Sequence, residues 1–583
     1  MSAGPFGKRL RLCGWKLRRG NRLQLFLSAL VISAAAAAHI SIACRLANDE
    51  PGDGKLYAQL ATNLLEQKVY SIETEAPFNP TLIRLPGYPL FLAGVYSIFG
   101  EGNNTAVRVV QALVHTLTCW LIALLAWNWA GRTRRRRAFW AAFLLASVCP
   151  FTVIYAATIL TETLTTFLLA ATALAATHGF KAPKRLFSAG WWFLTGILAG
   201  LAVLLRPDSG LFALGLGLTL AIVSLFSRGG FLSRCLDALI KGSIFSAAFI
   251  LPLVPWTVRN EQVFQIFQPL APAHAEMPGE FVAHGYFLWL RTWIDDQRYI
   301  EPMLWNLEDK PIAVEQIPGY AFAGDDERER VAALLDQYNH SRKTGADDSE
   351  DDSKDDEGSA DEDSSADDSD TADDDSAKSD DSDQGDEADA AASPDKNDED
   401  DEGQADEQGF EMTPETDAGF RQLAEERIAR EPFRYYVSLP VERGIGMWFD
   451  THSKYYPFDG ELFPVKDLDR EENQQIWLPV FITLVWLYTL FAVAGAALLL
   501  KKSGGGRQWV LLAALLVFPR MIFFSTLENP EPRYLVELFI FTSILGGIAL
   551  SRARLKRRTD EAEVELSPPR TDNLPVPGVK HLY

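Results

Sequence analysis

Long apolar stretches separated by short polar ones run through most of this chain, and ten of them approach the roughly 20 residues that span a bilayer's hydrocarbon core. They cover 22–44, 107–129, 138–157, 159–179, 187–205, 209–227, 240–258, 477–500, 508–526 and 535–551. The pattern predicts an α-helical polytopic membrane protein with about ten transmembrane helices. Lys and Arg collect at 8–22, 132–137, 181–185, 228–241, 501–507 and 552–558. With ten crossings these segments all fall on one face, which the positive-inside rule makes cytoplasmic. Both termini are then cytoplasmic, and 45–106, 206–208, 259–476 and 527–534 are external. The first run could be read as a signal sequence, but its apolar character continues through Ile40, Ile42 and Cys44, so an uncleaved anchor is expected.

The division that follows is a basic N-terminus (1–21), a seven-span module (22–258), an external aromatic segment (259–340), an acidic linker (341–408), a second external segment (409–476), a three-span module (477–551) and a cytoplasmic tail (552–583). Inside the first external loop, 56–69 places Leu56, Tyr57, Leu60, Ala61, Leu64 and Leu65 on one helical face, as expected for a helix lying in the interface. A second short apolar segment over 86–99 is expected to do the same.

Charge changes the picture in one place. The net charge of −22 belongs to an acidic protein, yet 347–407 holds 31 Asp and Glu against 3 Lys, a local −28, and the rest of the chain carries +6. That segment has too few apolar residues to fold and is expected to be a solvated tether. The five cysteines, Cys13, Cys44, Cys119, Cys149 and Cys235, are scattered and show neither a disulfide framework nor metal-ligand spacing.

The candidate chemistry lies in the first external loop, where Asp53 in Pro51-Gly52-Asp53-Gly54-Lys55-Leu56-Tyr57 precedes Arg84 in Leu82-Ile83-Arg84-Leu85-Pro86-Gly87-Tyr88-Pro89. A carboxylate can take a proton from a hydroxyl, and a guanidinium grips phosphate at two points. The bland reading makes Asp53 a helix N-cap. Further ionisable residues sit at the outer ends of spans: Glu162, Arg206, Arg259 and Arg533. Singly, each is explained by snorkelling to the interface; together with Asp53 and Arg84 they suggest one external cavity.

These residues fall into ordered motifs: Asp53-x-x-x-Tyr57-x-x-x-Ala61, Arg84-x-Pro86-Gly87-Tyr88-Pro89, Thr161-Glu162-Thr163, Arg206-Pro207, Pro255-Trp256-x-x-Arg259-Asn260 and Pro532-Arg533-Tyr534. In that order the chain resembles the bacterial branch of the GT-C membrane glycosyltransferases, related to protein O-mannosyltransferases and lipid A aminoarabinose transferases. The resemblance implies a polyprenyl-phosphate sugar donor, a lipid, glycan or protein acceptor, no nucleic acid, and a bacterial inner-membrane protein whose active site faces the periplasm. It implies an acidic base in the first external loop, matched by Asp53 with Glu50 of the adjacent pair Asp49-Glu50 as competitor. Basic residues holding the donor phosphate are matched by Arg84, Arg206 and Arg533, with Tyr57, Tyr88, Glu162 and Arg259 lining the cavity.

An inverting transfer is expected, in which Asp53 takes the acceptor's proton while the arginines hold the departing phosphate. No cofactor is indicated. A divalent ion near Glu162 is left open, and no His or Cys ligand cluster is visible in the sequence. In the external region, Trp289, Trp293 and Trp305 are expected to pack over the cavity. Arg443, Trp448, His452 and Tyr455-Tyr456-Pro457 suit either sugar contacts or ordinary packing. A flippase of lipid-linked glycans and a polysaccharide polymerase or ligase are the other classes these features allow.

Overall fold

The structure is a computed structural model and describes residues 19–45, 52–227, 229–341, 409–449, 472–501 and 505–552. Among these residues the regular elements are all helices. The membrane body takes in α1 (Arg19–Arg45), the loop helices α2 (Gly52–Glu66) and α3 (Gly87–Phe99), α4 (Asn104–Trp129), α5 (Arg135–Ser147), the single turn α6 (Pro150–Val153), α7 (Glu162–Lys181), α8 (Arg185–Leu205), α9 (Ser209–Leu225), α10 (Phe231–Ile250) and α11 (Val254–Phe264). The external lobe follows with α12 (His284–Arg291), α13 (Asp325–His340), α14 (Pro414–Arg430) and α15 (Leu439–Phe449), and the chain re-enters the body through α16 (Glu472–Leu500), α17 (Gly506–Ser525) and α18 (Phe539–Leu550).

Seven helices among the described residues are long and apolar enough to cross a membrane, and the number rises to nine if each of two bent pairs is one crossing. The expected count of ten is not reached on this measure. One bent pair joins α5 to Pro150–Ala156 at 60°, the other joins α10 to α11 at 46°. Both breaks hold prolines, Pro150 in the first and Pro252 and Pro255 around the second, and proline removes an intrahelical donor and disfavours a straight helix. Hydropathy alone passes over such breaks. The remaining expected span, α9, is a 17-residue apolar helix.

The N- and C-terminal spans form one core rather than two. The stretch Pro532–Leu550, which ends in α18, is the most interior of the candidate spans, with 78% of it buried, and α18 packs on α5 and α16. Trp129 of α4 stacks on Trp509 of α17 at 5.6 Å. In α8, Gly196 and Gly200 face α10 so closely that an added Cβ would lie 2.4 Å from Phe245 O and 2.3 Å from Phe249 O. Only glycine permits this approach, a common way for helices to associate where lipid gives no hydrophobic driving force between them.

Outside the body, Tyr286, Trp289, Trp293, Val331, Leu335, Tyr338 and Phe420 form a separate hydrophobic core. The stretches before and after the acidic segment therefore build the same lobe. The ends of that segment meet: Glu411 N donates to Ser341 O at 3.2 Å, and Phe410 N to Glu308 O at 2.7 Å. Beyond α14, Phe433, Tyr436, Val437, Val441 and Ile445 are exposed while Leu439, Arg443, Met447 and Trp448 point inward. The exposed apolar residues recur at helical spacing and so form one apolar face. Arg443 is buried and donates to Ile294 O and Arg291 O, and Trp448 Nε1 donates to Thr489 Oγ1, so both are packing residues. His452 and Tyr455-Tyr456-Pro457 lie outside the described residues.

Candidate active site

Asp53 occupies the first turn of α2, whose Leu60 and Ala61 are fully buried and seat the helix. From α2 the chain returns along a strap held by side chains. Asn63 donates to Ser71 O and Glu73 O, Thr81 N donates to Tyr70 O, and the Tyr70 hydroxyl donates to Arg84 O at 3.1 Å. This strap delivers Arg84 Nη2 to Asp53 Oδ1 at 3.0 Å. From the far end of the sequence, Arg533 brings Nη1 to Asp53 Oδ2 at 3.4 Å, while its Nε pairs with Glu531 at 2.6 Å. Pro532 at the start of the tight helical stretch Pro532–Leu538 pre-sets the backbone that presents Arg533.

Both carboxylate oxygens of Asp53 are thus held by guanidinium groups, which is not the arrangement of an N-cap. Burial pushes its pKa up, but Arg533 and Arg84 outweigh that and hold it below the usual carboxylate value. The three side chains remain partly open, at 28% for Asp53, 25% for Arg84 and 17% for Arg533. Tyr57, one turn along α2, keeps its phenolic proton: burial, with the Asp53 charge adding to it, pushes the hydroxyl up to about 12.

Deeper in the body lies a second, closed network. Arg206 donates from Nη1 to Glu162 Oε1 at 2.7 Å and from Nε to Asp208 Oδ1 at 3.2 Å. Its Nε also lies 3.7 Å from Glu537 Oε1. Arg520 pairs with Asp208 and with Glu537 Oε2 at 2.9 Å, and its Nε donates to Tyr534 O at 2.8 Å. The Tyr534 ring lies between the two sites, with the guanidinium carbons of Arg206 and Arg533 each 5.3 Å from its centroid.

The sequence-derived candidates therefore separate. Asp53, Arg84, Arg533 and Tyr57 come together at the opening. Glu162, expected at the cavity, and Arg206, expected on the donor phosphate, pair with each other beneath it, and Arg206 faces carboxylates on three sides. Tyr88 is fully buried, packs edge-on against Tyr57 at 5.2 Å and donates to Gln111 Oε1, so it supports α2 rather than lining a cavity. Arg259 lies over Tyr70, Trp256 and Phe264 and donates to Thr81 O, bracing the strap from below. Glu50 lies outside the described residues.

Sequence reasoning missed Asp208, Glu531, Arg520 and Glu537. Arg520 and Glu537 carried a readable signal, since each is an ionisable residue inside a predicted apolar run, where a charge requires a partner. His39, His115 and Cys119, in which the sequence shows no ligand cluster, meet elsewhere in the body. Their sequence separation hid this: α1 and α4 become neighbours only on packing.

Residues 80–256 match the family model described as dolichyl-phosphate-mannose-protein mannosyltransferase. The match takes in Arg84, the Glu162 motif, Arg206 and Pro255-Trp256, and over these residues the chain is similar to that family of membrane glycosyltransferases, in line with the resemblance read from the motifs. No curated protein sequence matches the chain. Two solved structures align with it, ArnT from Cupriavidus metallidurans bound to undecaprenyl phosphate and the same protein in the apo state. Both are 13% identical; the alignments cover 90% and 91% of this chain and 78% of theirs, at TM-scores of 0.34 and 0.33.

Proposed function

We propose that the protein transfers a sugar from a polyprenyl-phosphate donor to an acceptor hydroxyl at the external face of a bacterial cytoplasmic membrane, with Asp53 as the base. The observation that carries this reading is the half-open Arg84–Asp53–Arg533 arrangement, a carboxylate set between two guanidiniums that converge from opposite ends of the chain. The acceptor oxygen attacks the anomeric carbon, the bond from that carbon to the phosphate oxygen breaks, and the acceptor's proton passes to Asp53. Attack opposite the leaving phosphate inverts the anomeric centre. The negative charge growing on the polyprenyl phosphate falls on Arg84 and Arg533, in a setting where fixed cations act more strongly than in water.

The same geometry couples donor binding to base strength. At rest the two arginines keep Asp53 ionised but weakly basic. A phosphate seated between them draws the guanidiniums off the carboxylate, whose pKa then rises as its cations leave. Arg206 is left out of this clamp, because it is buried and its Nη1 and Nε already donate to Glu162 and Asp208.

The test uses the full chain in lipid nanodiscs with a polyprenyl-phosphate-linked monosaccharide and envelope lipids and proteins as acceptors. The expected result is a glycosylated acceptor of inverted anomeric configuration, with turnover lowered about 10²–10⁴-fold in Asp53→Asn. Wild-type turnover in that variant removes Asp53 as base. Movement of donor between leaflets of a proteoliposome without a new glycosidic bond favours a flippase, and transfer of preformed oligosaccharide only favours a polymerase or ligase.

A further inference from the structure

Away from the proposed active site, the membrane body encloses two imidazoles and a thiol. His39 of α1 and His115 and Cys119 of α4 are 1%, 3% and 0% exposed, and one ligand atom from each lies within 4.8 Å of the others. His115 and Cys119 are four residues apart and so share a helix face. Their Nε2 and Sγ atoms are 3.7 Å apart. Imidazole and thiolate at about 2.0 Å and about 2.3 Å from one trigonal metal centre would also stand about 3.7 Å apart.

His39 has the surroundings of a metal ligand. Its Nε2 lies 2.9 Å from the carbonyl oxygen of Ser147, which can only accept, so Nε2 carries the proton and Nδ1 the lone pair. A backbone carbonyl holding the far N–H is the usual support of a metal-bound imidazole. The Nδ1 lone pair meets Thr116 Oγ1 at 2.8 Å, and that hydroxyl has a second acceptor in Ala112 O at 2.9 Å. Turning Nδ1 toward a cation therefore leaves no donor stranded.

We propose that His39, His115 and Cys119 form a binding site for Cu(I) that pins α1 to α4. The donor set excludes hard cations, since it holds no oxygen ligand, and thiolate with imidazole suits copper and zinc. Charge separates these two. A thiolate with a monovalent ion gives a neutral site, whereas Zn(II) leaves a net positive charge in a medium that penalises it. The place gives the site its use: His39 and Ala43 are the only buried side chains described in α1, whose other described side chains are half-buried or exposed. α1 ends at Arg45, a few residues before the helix that carries Asp53, so a bond at His39 sets the depth from which that loop starts.

Full-length protein in nanodiscs, reduced and kept anaerobic, is titrated with Cu(I) against a chromophoric Cu(I) chelator, and copper K-edge absorption is recorded on the loaded protein. The expected result is about one tightly held copper per chain with nitrogen and sulfur scatterers. Affinity should fall more than about 100-fold in Cys119→Ser and in His115→Gln, beyond the usual loss of an outer-shell partner. Cys235→Ser should bind as wild type. A wild-type protein that yields all its copper to the chelator, a spectrum without sulfur, or displacement of Cu(I) by equimolar Zn(II) each overturns the proposal. Should Cys119→Ser fail to fold, the wild-type spectrum and the zinc competition still decide.

Discussion

Asp53 and Arg206 are both carboxylate–guanidinium sites, yet burial gives them opposite uses. Around Asp53 the pairs are part-exposed, so each contributes at most about 1 kcal/mol and can be exchanged for another anion. Around Arg206 they are closed off, and removing one partner leaves buried charge at a cost of about 3–5 kcal/mol. Arg206→Ala is therefore expected to lower the thermal midpoint sharply in detergent, while Arg533→Ala leaves the midpoint near wild type and loses activity; equal midpoints would contradict this division. Arg84→Lys, which keeps charge but loses the planar fork, should lower kcat/KM for donor about 10-fold or more. Asp53 also predicts a pH signature. A base is lost as pH falls through its pKa, so kcat/KM, which reports free enzyme, should hold until below the ordinary Asp range. The acid limb of kcat, which reports the donor complex, should lie at higher pH; coincident limbs would remove the proposed coupling.

At the scale of elements, the external lobe is fastened to the membrane body at Glu528, which follows α17 and is 6% exposed. It pairs with Arg291 of the lobe and lies 3.3 Å from His274 Nε2. Burial pushes the Glu528 pKa up, but the hydrogen bonds from His274 and Arg291 prevail and bring it down to about 2 from an ordinary 4.5. A carboxylate depressed in the folded state adds stability above its unfolded pKa and loses it as pH falls toward the folded one. The fastening should therefore be intact above about pH 4.5 and weaken from there toward about pH 2, with a full contribution of order 3 kcal/mol. Fluorescence of the buried lobe tryptophans Trp289 and Trp293, followed on acidification, reads this release. Glu528→Gln should flatten the pH dependence over that window; an unchanged profile would place the fastening elsewhere.

For the molecule as a whole, the adjacency of Ser341 and Glu411 means that the acidic segment is an insertion within a lobe rather than a link between two bodies. Closing a loop of that length costs more entropy than closing a short turn, by about 0.6 kcal/mol for each doubling. Replacing 342–408 with a six-residue Gly-Ser turn should leave the lobe folded and stabilise it by about 2 kcal/mol. Chemical denaturation followed by tryptophan fluorescence checks this, and collapse of the lobe would show the segment to be part of its structure.

Hydropathy and the basic loops marked the helical membrane body in the sequence, because an apolar run must be buried in lipid or core wherever it lies. The two loop helices were legible as α2 and α3 for the same local reason, and Asp53, Arg84 and Arg533 stood out as charges at the ends of such runs. Where each charge finds its partner is not a local property. Asp53 is 480 residues from Arg533, and Arg206 could be read as a phosphate clamp until packing set Glu162, Asp208 and Glu537 around it. His39 met His115 and Cys119 only through the contact of α1 with α4. Periodicity records which face of a helix is buried, and the amino-acid order determined that much; which ionisable groups neutralise one another depends on distances across the fold, and these the tertiary structure alone decided.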